Sequence, residues 1–417
     1  VSRYLRFTVN LIPGPLQVRD ENGVSHPFVD IDDFVRSAQL AEQAKLDAVF
    51  IADSQGIPPD GRGFAYLDPL VVLPALARET EHVGLVATAS TTYATPYALA
   101  RSILSIDHVS HGRAGWNIIT TMDPTVARNF GLDTPPTRDE RYRRAHEFTK
   151  VVVALWESWR DDLTQSWDLN ALDRAPIDHD GEFYSVAGPL QLPRSRQGRP
   201  VLFQAGGSDQ GIDAAAEFAD AVFSVGSTES SSRDYRERLN KETRNKRGEA
   251  SGVLVLPGIF FTLGSTEDEV RRLLHDAENA LDGTDALHRF AARFDLEAEV
   301  LDLDGPVPPE VAVADSSRSI GFAQGGVDLA RDRPDLTLRR FIVLGGGGHR
   351  RVFGTPETVA DELIGWADRG AADGYTVFAE SLPQFADHIV PLLQARGVHR
   401  RDYSGTTLRD NFAQHTG

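Results

Sequence analysis

The stretch that decides the fold runs from residue 83 to residue 119. It opens on Val83-Gly-Leu-Val-Ala-Thr-Ala89, passes the hydroxyl run Ser90-Thr91-Thr92, continues through Pro96–Val109 and closes on Gly115-Trp-Asn-Ile-Ile119. The two ends are short apolar runs, the pattern of strands buried on both faces, and the middle has helical spacing. A proline at the first helical position fits, because that N–H has no intrahelical partner anyway. Strand, helix and strand in this order form a βαβ unit with parallel strands.

The alternation extends outward on both sides. Upstream, Leu5–Leu11 reads as a strand stopped at Pro13-Gly14-Pro15, Ile31–Lys45 as a helix, Asp47–Asp53 as a buried strand and Leu67–Thr80 as a helix. Downstream, strands are predicted at Pro200–Ala205, Asp220–Ser224, Gly252–Phe261 and Gly374–Phe378. Helices are predicted at Gly211–Phe218, at Ser231–Arg247 and from Pro356, after the N-capping Thr355. Eight strands mostly followed by helices predict an α/β fold, a (β/α)8 TIM barrel with insertions. Residues 1–417 are read as one domain, with excursions at about 123–199 and 266–343. The first excursion holds a helix over Arg138–Arg160 and a hairpin around Asp180-Gly181, and the polar tail 400–417 reads as an arm or a disordered end.

Composition narrows the function classes. With 43 basic against 61 acidic residues, the chain carries a formal net charge of −18. That opposes docking on nucleic acid or on anionic membranes. No run approaches the roughly 18 apolar residues of a membrane span. A cytoplasmic protein is expected. The absence of cysteine excludes disulfides, thiolate-held metals and a cysteine nucleophile, so any redox chemistry falls to a bound organic cofactor. There is no His-Glu-x-x-His, and the spacing of the 12 histidines nominates no metal site. A Gly-x-Ser-x-Gly elbow is also missing, which removes the serine-hydrolase reading.

In a barrel of this kind the strand C-terminal ends carry the chemistry. That places Asp53, Thr88, Ser90, Asn117 and Thr121 as candidates. Asp53 is either a ligand acceptor or a carboxylate capping nearby loop N–H groups. The run from Thr88 to Tyr93 offers hydroxyl donors or is a strand continuing into a turn. Asn117 presents both a donor and an acceptor, which suits a uracil-like or flavin pyrimidine edge. The loop Gln204-Ala-Gly206-Gly207-Ser208 lies between a strand and a helix. It is either a phosphate cradle or a plain turn. Gly345-Gly-Gly-Gly348 reads as a phosphate site, a lid hinge or a flexible loop, and Arg113 as a residue of structural salt bridges.

An ordered series of segments then resembles the flavin-dependent monooxygenases of the bacterial-luciferase superfamily. The nearest likeness is to the nitrilotriacetate, dibenzothiophene-sulfone, pristinamycin-synthase and long-chain-alkane monooxygenase group. The segments include Phe50-Ile-Ala-Asp53, Asp68-Pro-Leu-Val-Val-Leu-Pro-Ala-Leu-Ala77, Thr88–Tyr97, Leu104–Thr121, Asn129-Phe-Gly131, Arg141-Tyr142, Leu155-Trp-Glu-Ser-Trp159, His179–Tyr184, Gln204–Ser208 and Gly354-Thr-Pro-Glu357. They cover nearly the whole chain. The resemblance implies a two-component system. A separate NAD(P)H:flavin reductase would supply FMN as FMNH2, and O2 would react with it to form a C4a-(hydro)peroxide that oxygenates a small organic substrate. It implies flavin-ring contacts from Asp53, Thr88, Ser90 and Asn117. Phosphate contacts would come from Tyr142 and from the loop Ala205, Gly206, Gly207 and Ser208. A homodimer or homotetramer is expected.

The chain departs from the family where relatives carry a histidine segment after the first strand. Here the text is Asn10-Leu-Ile-Pro, and only His26-Pro27 keeps part of the pattern. Thr121 stands where some relatives place a second histidine. Asn10, Asn117 and Thr121 are therefore the candidates for catalysis. Two other readings are a deazaflavin (F420)-dependent oxidoreductase that transfers hydride and a non-catalytic flavin-binding barrel.

Overall fold

The computed structural model describes residues 4–11, 30–57, 67–160, 168, 172–249, 251–311 and 320–413. The strand stop at residues 13–15 and the His26-Pro27 pair lie outside these residues. The strands are β1 (Arg6–Asn10), β2 (Ala48–Ile51), β3 (Gly84–Ser90), β4 (Ala114–Ile119), β5 (His179–Asp180), β6 (Ser185–Val186), β7 (Val201–Ala205), β8 (Ala221–Ser224), β9 (Leu254–Leu263), β10 (Arg350–Gly354) and β11 (Gly374–Phe378). β5 and β6 form the hairpin expected around Asp180-Gly181. The fold class is α/β, a (β/α)8 TIM barrel with insertions. The chain divides into two compact units, one of residues 8–205, 218–220 and 400–417, the other of residues 1–7, 206–217 and 221–399.

In the first unit, Thr8–Asn10 pairs with β2, β2 with β3, β3 with β4 and β4 with β7, all in parallel. Side chains alternate between the two faces of these strands. One face meets the helices. Trp116 packs on Phe148 and Trp156 of the helix Arg138–Glu157 and donates its Nε1–H to Ala89 O at 3.1 Å. The opposite face is layered along the strands. Gly84 and Gly115 form its lowest layer, where an added Cβ would meet the side chain of Leu408. Phe50 and Phe203 sit above, edge to face at 6.1 Å, with Phe412 against Phe203. Leu408 and Phe412 belong to the helix Leu408–Ala413. The polar stretch after residue 400 is thus a packed plug as far as Ala413, not an arm. Its charges are spent inside the unit, as Arg400 pairs with Asp47, both buried, and Arg409 with Asp220 at 3.0 Å.

Arg113 ties this unit together. It is 2% exposed and makes five hydrogen bonds, to Ser110 O, Thr80 Oγ1, Val83 O, Ala77 O and Thr80 O, at 2.8–3.0 Å. The sequence reading expected salt bridges, but the guanidinium instead binds carbonyls left over at the end of the helix Pro69–Glu79 and before β3. A planar fork with five donors can do this where lysine cannot.

In the second unit β9 pairs in parallel with β8, β11 and β10. The helices Gly283–Phe294, Ile320–Asp332 and Leu338–Val343 enclose an apolar cluster that includes Phe290, Phe294, Leu303, Ala323, Leu338 and Phe341. β10 has no counterpart among the predicted strands. The glycine run before it is a packed turn, with Gly346 against Phe341, and Gly345 and Gly347 at φ +91° and +83°. Only glycine adopts that backbone without strain.

Replacing Arg113 by methionine leaves buried carbonyls without donors. We expect a loss of more than about 3 kcal/mol of stability, read from the midpoint of urea unfolding. An unchanged midpoint would contradict the clamp.

Candidate functional site

The first unit gathers several predicted residues at the C-terminal ends of its strands. The register pairs Thr88 of β3 with Asn117 of β4, and Ser90 with Ile119. Directly paired residues of parallel neighbours share a face, so Thr88 and Asn117 point the same way. Asn117 donates its Nδ2–H to Thr88 Oγ1 at 3.1 Å, and both are buried. The Asn117 Oδ1 atom is buried with no hydrogen-bond partner. Such an acceptor costs free energy unless a ligand supplies a donor.

A second hydroxyl chain lies one step along. Thr121 Oγ1 donates to Ser90 Oγ at 2.7 Å, and Thr92 N–H donates to the same oxygen at 3.2 Å. Thr92 Oγ1 in turn accepts from Thr121 N–H at 3.1 Å. With Ser90 Oγ receiving two bonds, its own O–H is polarised as a donor. Asn10 ends β1, buried, on the face of Thr8 and opposite to Phe7 and Val9. The structure therefore joins Asn117 to Thr88 and Thr121 to Ser90 by direct hydrogen bonds.

Asp53 lies two residues beyond the end of β2 and is half-buried. Burial first, and then the charge of Asp68, push its carboxyl up from 3.8 to about 6, against a backbone bond from Ser54. Asp68 caps the helix Pro69–Glu79 by accepting from Leu70 N–H at 2.7 Å. Tyr142 stands in the first turns of the helix Arg138–Glu157, with the Arg138 guanidinium 5.9 Å from its ring centre.

In the second unit, Gly206–Ser208 leads into the helix Asp209–Phe218. Ser208 Oγ accepts from Gly211 N–H at 3.1 Å, and Ser208 O from Ile212 N–H at 2.8 Å, so this serine begins the helix. Tyr235, which the sequence reading did not single out, donates its hydroxyl to Gly206 O at 3.0 Å and steadies the loop. A Cβ at Gly207 would lie 3.4 Å from Gly321 Cα, so two backbones approach closely there. Converging N–H groups at a helix N-terminus suit an anion.

Two features of this unit escaped the sequence. His349 is ringed by Phe223, Phe322 and Phe378, at centroid distances of 4.7, 4.9 and 5.0 Å. Burial, then the charge of Arg293, depress it from 6.5 to about 3, so it stays neutral. Ser224 and Ser227 carry buried hydroxyls without partners. Ser224 ends β8, and the rule that strand C-terminal ends carry chemistry would have found it. Nothing in the one-dimensional pattern marks His349, because its aromatic neighbours come from three separated segments.

The family model described as luciferase-like monooxygenase matches residues 11–373. N-acetyl-S-(2-succino)cysteine monooxygenase of Bacillus subtilis is 34% identical, over 94% of this chain and 92% of its own length. Nitrilotriacetate monooxygenase component A of Aminobacter aminovorans is 36% identical, over 93% and 90%. Among solved structures, EDTA monooxygenase from Chelativorans sp. BNC1 superposes with a TM-score of 0.84 at 33% identity, covering 99% of this chain and 98% of that one.

Replacing Asp68 by asparagine keeps a helix cap and removes one of the two causes that raise Asp53. The Asp53 titration, followed by carboxyl NMR, should move down from about 6 but stay above 3.8, because burial remains. An unmoved midpoint would mean that burial alone sets it.

Proposed function

The chain belongs to the luciferase-like monooxygenase family and is a flavin-dependent monooxygenase that oxygenates a small organic substrate with O2; we propose that its flavin is FMN, received as FMNH2 from a separate NAD(P)H:flavin reductase. The designation of the Aminobacter relative as component A supports a reductase partner.

The observation that carries the flavin reading is the unpartnered, buried Oδ1 of Asn117 beside Thr88. An N–H on the edge of the flavin pyrimidine ring satisfies that acceptor. Ser90, as a polarised O–H donor, fits a ring carbonyl, and Asp53 fits a second N–H when ionised. In the second unit, Gly206–Ser208 at the start of a helix fits the FMN phosphate, with Ala205 adjoining it. Tyr142 is assigned to the same group on the family likeness.

When bound, reduced FMN activates O2 and supplies the oxygen that reaches the substrate. The protein's share is binding, orientation and proton handling. Thr121 orients Ser90 through their hydrogen bond and leaves the Ser90 O–H directed as a donor toward the ring. Asn10 offers an amide on the inward side of β1. The packed layer of Phe50 and Phe203 closes the strand face beneath these groups to water.

Three measurements test the reading. Asn117→Leu removes the acceptor and should weaken FMN binding by about 10- to 100-fold. Ser208→Glu puts a carboxylate where the phosphate is assigned and should weaken it by more than about tenfold through repulsion. Because Asp53 titrates near 6, FMN affinity should fall as pH drops through about 6, and Asp53→Asn should flatten that profile. Fluorescence titration of FMN reads all three. Unchanged affinity in both Asn117→Leu and Ser208→Glu would overturn the site. Incorporation of 18O from 18O2 into product, dependent on reduced FMN, tests the reaction itself.

A further inference from the structure

The second unit holds one arginine whose circumstances differ from those of its neighbours. Arg289, Arg339, Arg340, Arg350 and Arg351 each hold a carboxylate, those of Asp285, Asp304, Glu278, Glu362 and Glu380. Arg293, one turn along the helix Gly283–Phe294 from Arg289, pairs with no carboxylate among the described residues. Its Nη1–H donates to Gly347 O, and its guanidinium lies 5.2 Å from the centre of the Phe322 ring. The side chain is half-buried, and burial alone lowers its pKa. A half-buried guanidinium that faces no carboxylate and uses one donor on Gly347 O keeps donors for an anion that arrives from outside.

The surroundings say what kind of anion. Phe322 is shared between Arg293 and His349, and Phe223 and Phe378 close the other sides of the imidazole. Gly258 makes room for that ring, since a Cβ there would lie 2.3 Å from His349 Nδ1. Nδ1 itself is buried and without a partner. A cationic fork next to flat apolar walls and one unpaired ring nitrogen matches an organic acid with an apolar body better than an inorganic anion.

We propose that Arg293, with the aromatic walls around His349, forms a subsite that selects substrates bearing a carboxylate on an apolar body. The guanidinium takes the carboxylate, and Phe322 and its neighbours take the body. Gly347 O holds the guanidinium in place. Arg293 thereby sets specificity and takes no part in activating oxygen.

The inference rests on the monooxygenase reading, and its test is kept apart from that reading. The probes are (phenylthio)acetate and its uncharged methyl ester, titrated calorimetrically into the flavin-free and the FMN-loaded protein. The wild-type chain should bind the acid at least about tenfold more tightly than the ester, the range of a charge-assisted hydrogen bond. Arg293→Gln keeps a donor for Gly347 O but loses the charge, and should abolish that preference while FMN affinity stays unchanged. Arg293→Lys should retain part of it. Equal affinity for acid and ester in the wild-type chain, including binding of neither, overturns the proposal without recourse to any variant. A preference that survives in Arg293→Gln also overturns it. The rate at which O2 oxidises FMNH2 in the presence of the protein and without either probe, compared with the rate for free FMNH2, reports on the flavin reading separately, so the two fail independently.

Discussion

Two buried charges fix the junction on which the first unit's candidate site is built. Asp107, at the end of the helix Pro96–Val109, accepts from Ala114 N–H at 2.8 Å and from Gln197 Nε2–H at 2.6 Å. Arg113, six residues on, binds five oxygens at the ends of two helices and at the entry to β3. Complete burial pushes the Asp107 carboxyl up to about 6, although the hydrogen bonds and the nearby His108 oppose that shift. Removing water from these groups is costly, and only the hydrogen bonds they collect offset it. The junction therefore has one geometry, and β3 enters β4 in one register. A slip of one residue would turn Thr88 and Asn117 to the opposite faces.

That register separates support from chemistry along the same strands. Low on the strands, glycines accept Leu408, and Phe50 and Phe203 fill the space above. At the C-terminal ends the face becomes polar, with Thr88, Ser90 and Asn117 buried and bonded to each other or to Thr121. The polar end can be this rich in hydroxyls because the apolar layer beneath supplies the packing. A site whose polar groups are pre-oriented in this way loses little on binding a flat ligand. The second unit shows the same economy, since Tyr235 and Ser208 hold a glycine loop by its own backbone.

Much of the fold was legible because it is carried by local pattern. The helix Pro96–Val109 and the start of the helix Pro356–Asp368 were read at their observed ends, since proline at the first position and a threonine before it are local signals. β3, β4 and β7 were read to within a residue from their apolar runs. β10 was not, because Arg350-Arg-Val-Phe-Gly354 has no apolar run and owes its extension to pairing with β9. The tail was misread for a related reason. Its polar composition conceals Leu408 and Phe412, two apolar residues one helical turn apart, of which Leu408 fills the space left by distant glycines and Phe412 packs on Phe203.

By itself, the sequence determined the α/β class, the order of the elements, the absence of thiol chemistry and the set of polar residues at strand ends. Those properties follow from composition and from periods of two and 3.6 residues, which a chain carries before it folds. Only the tertiary structure decided that Asn117 Oδ1 lacks a partner, that Asp53 titrates near 6, and that Arg113 binds carbonyls. The setting of Arg293 and His349 among phenylalanines from distant segments was decided there too. A buried group's partners, and the water it loses, are set by residues remote in sequence, and both the energy and the reactivity of that group depend on them.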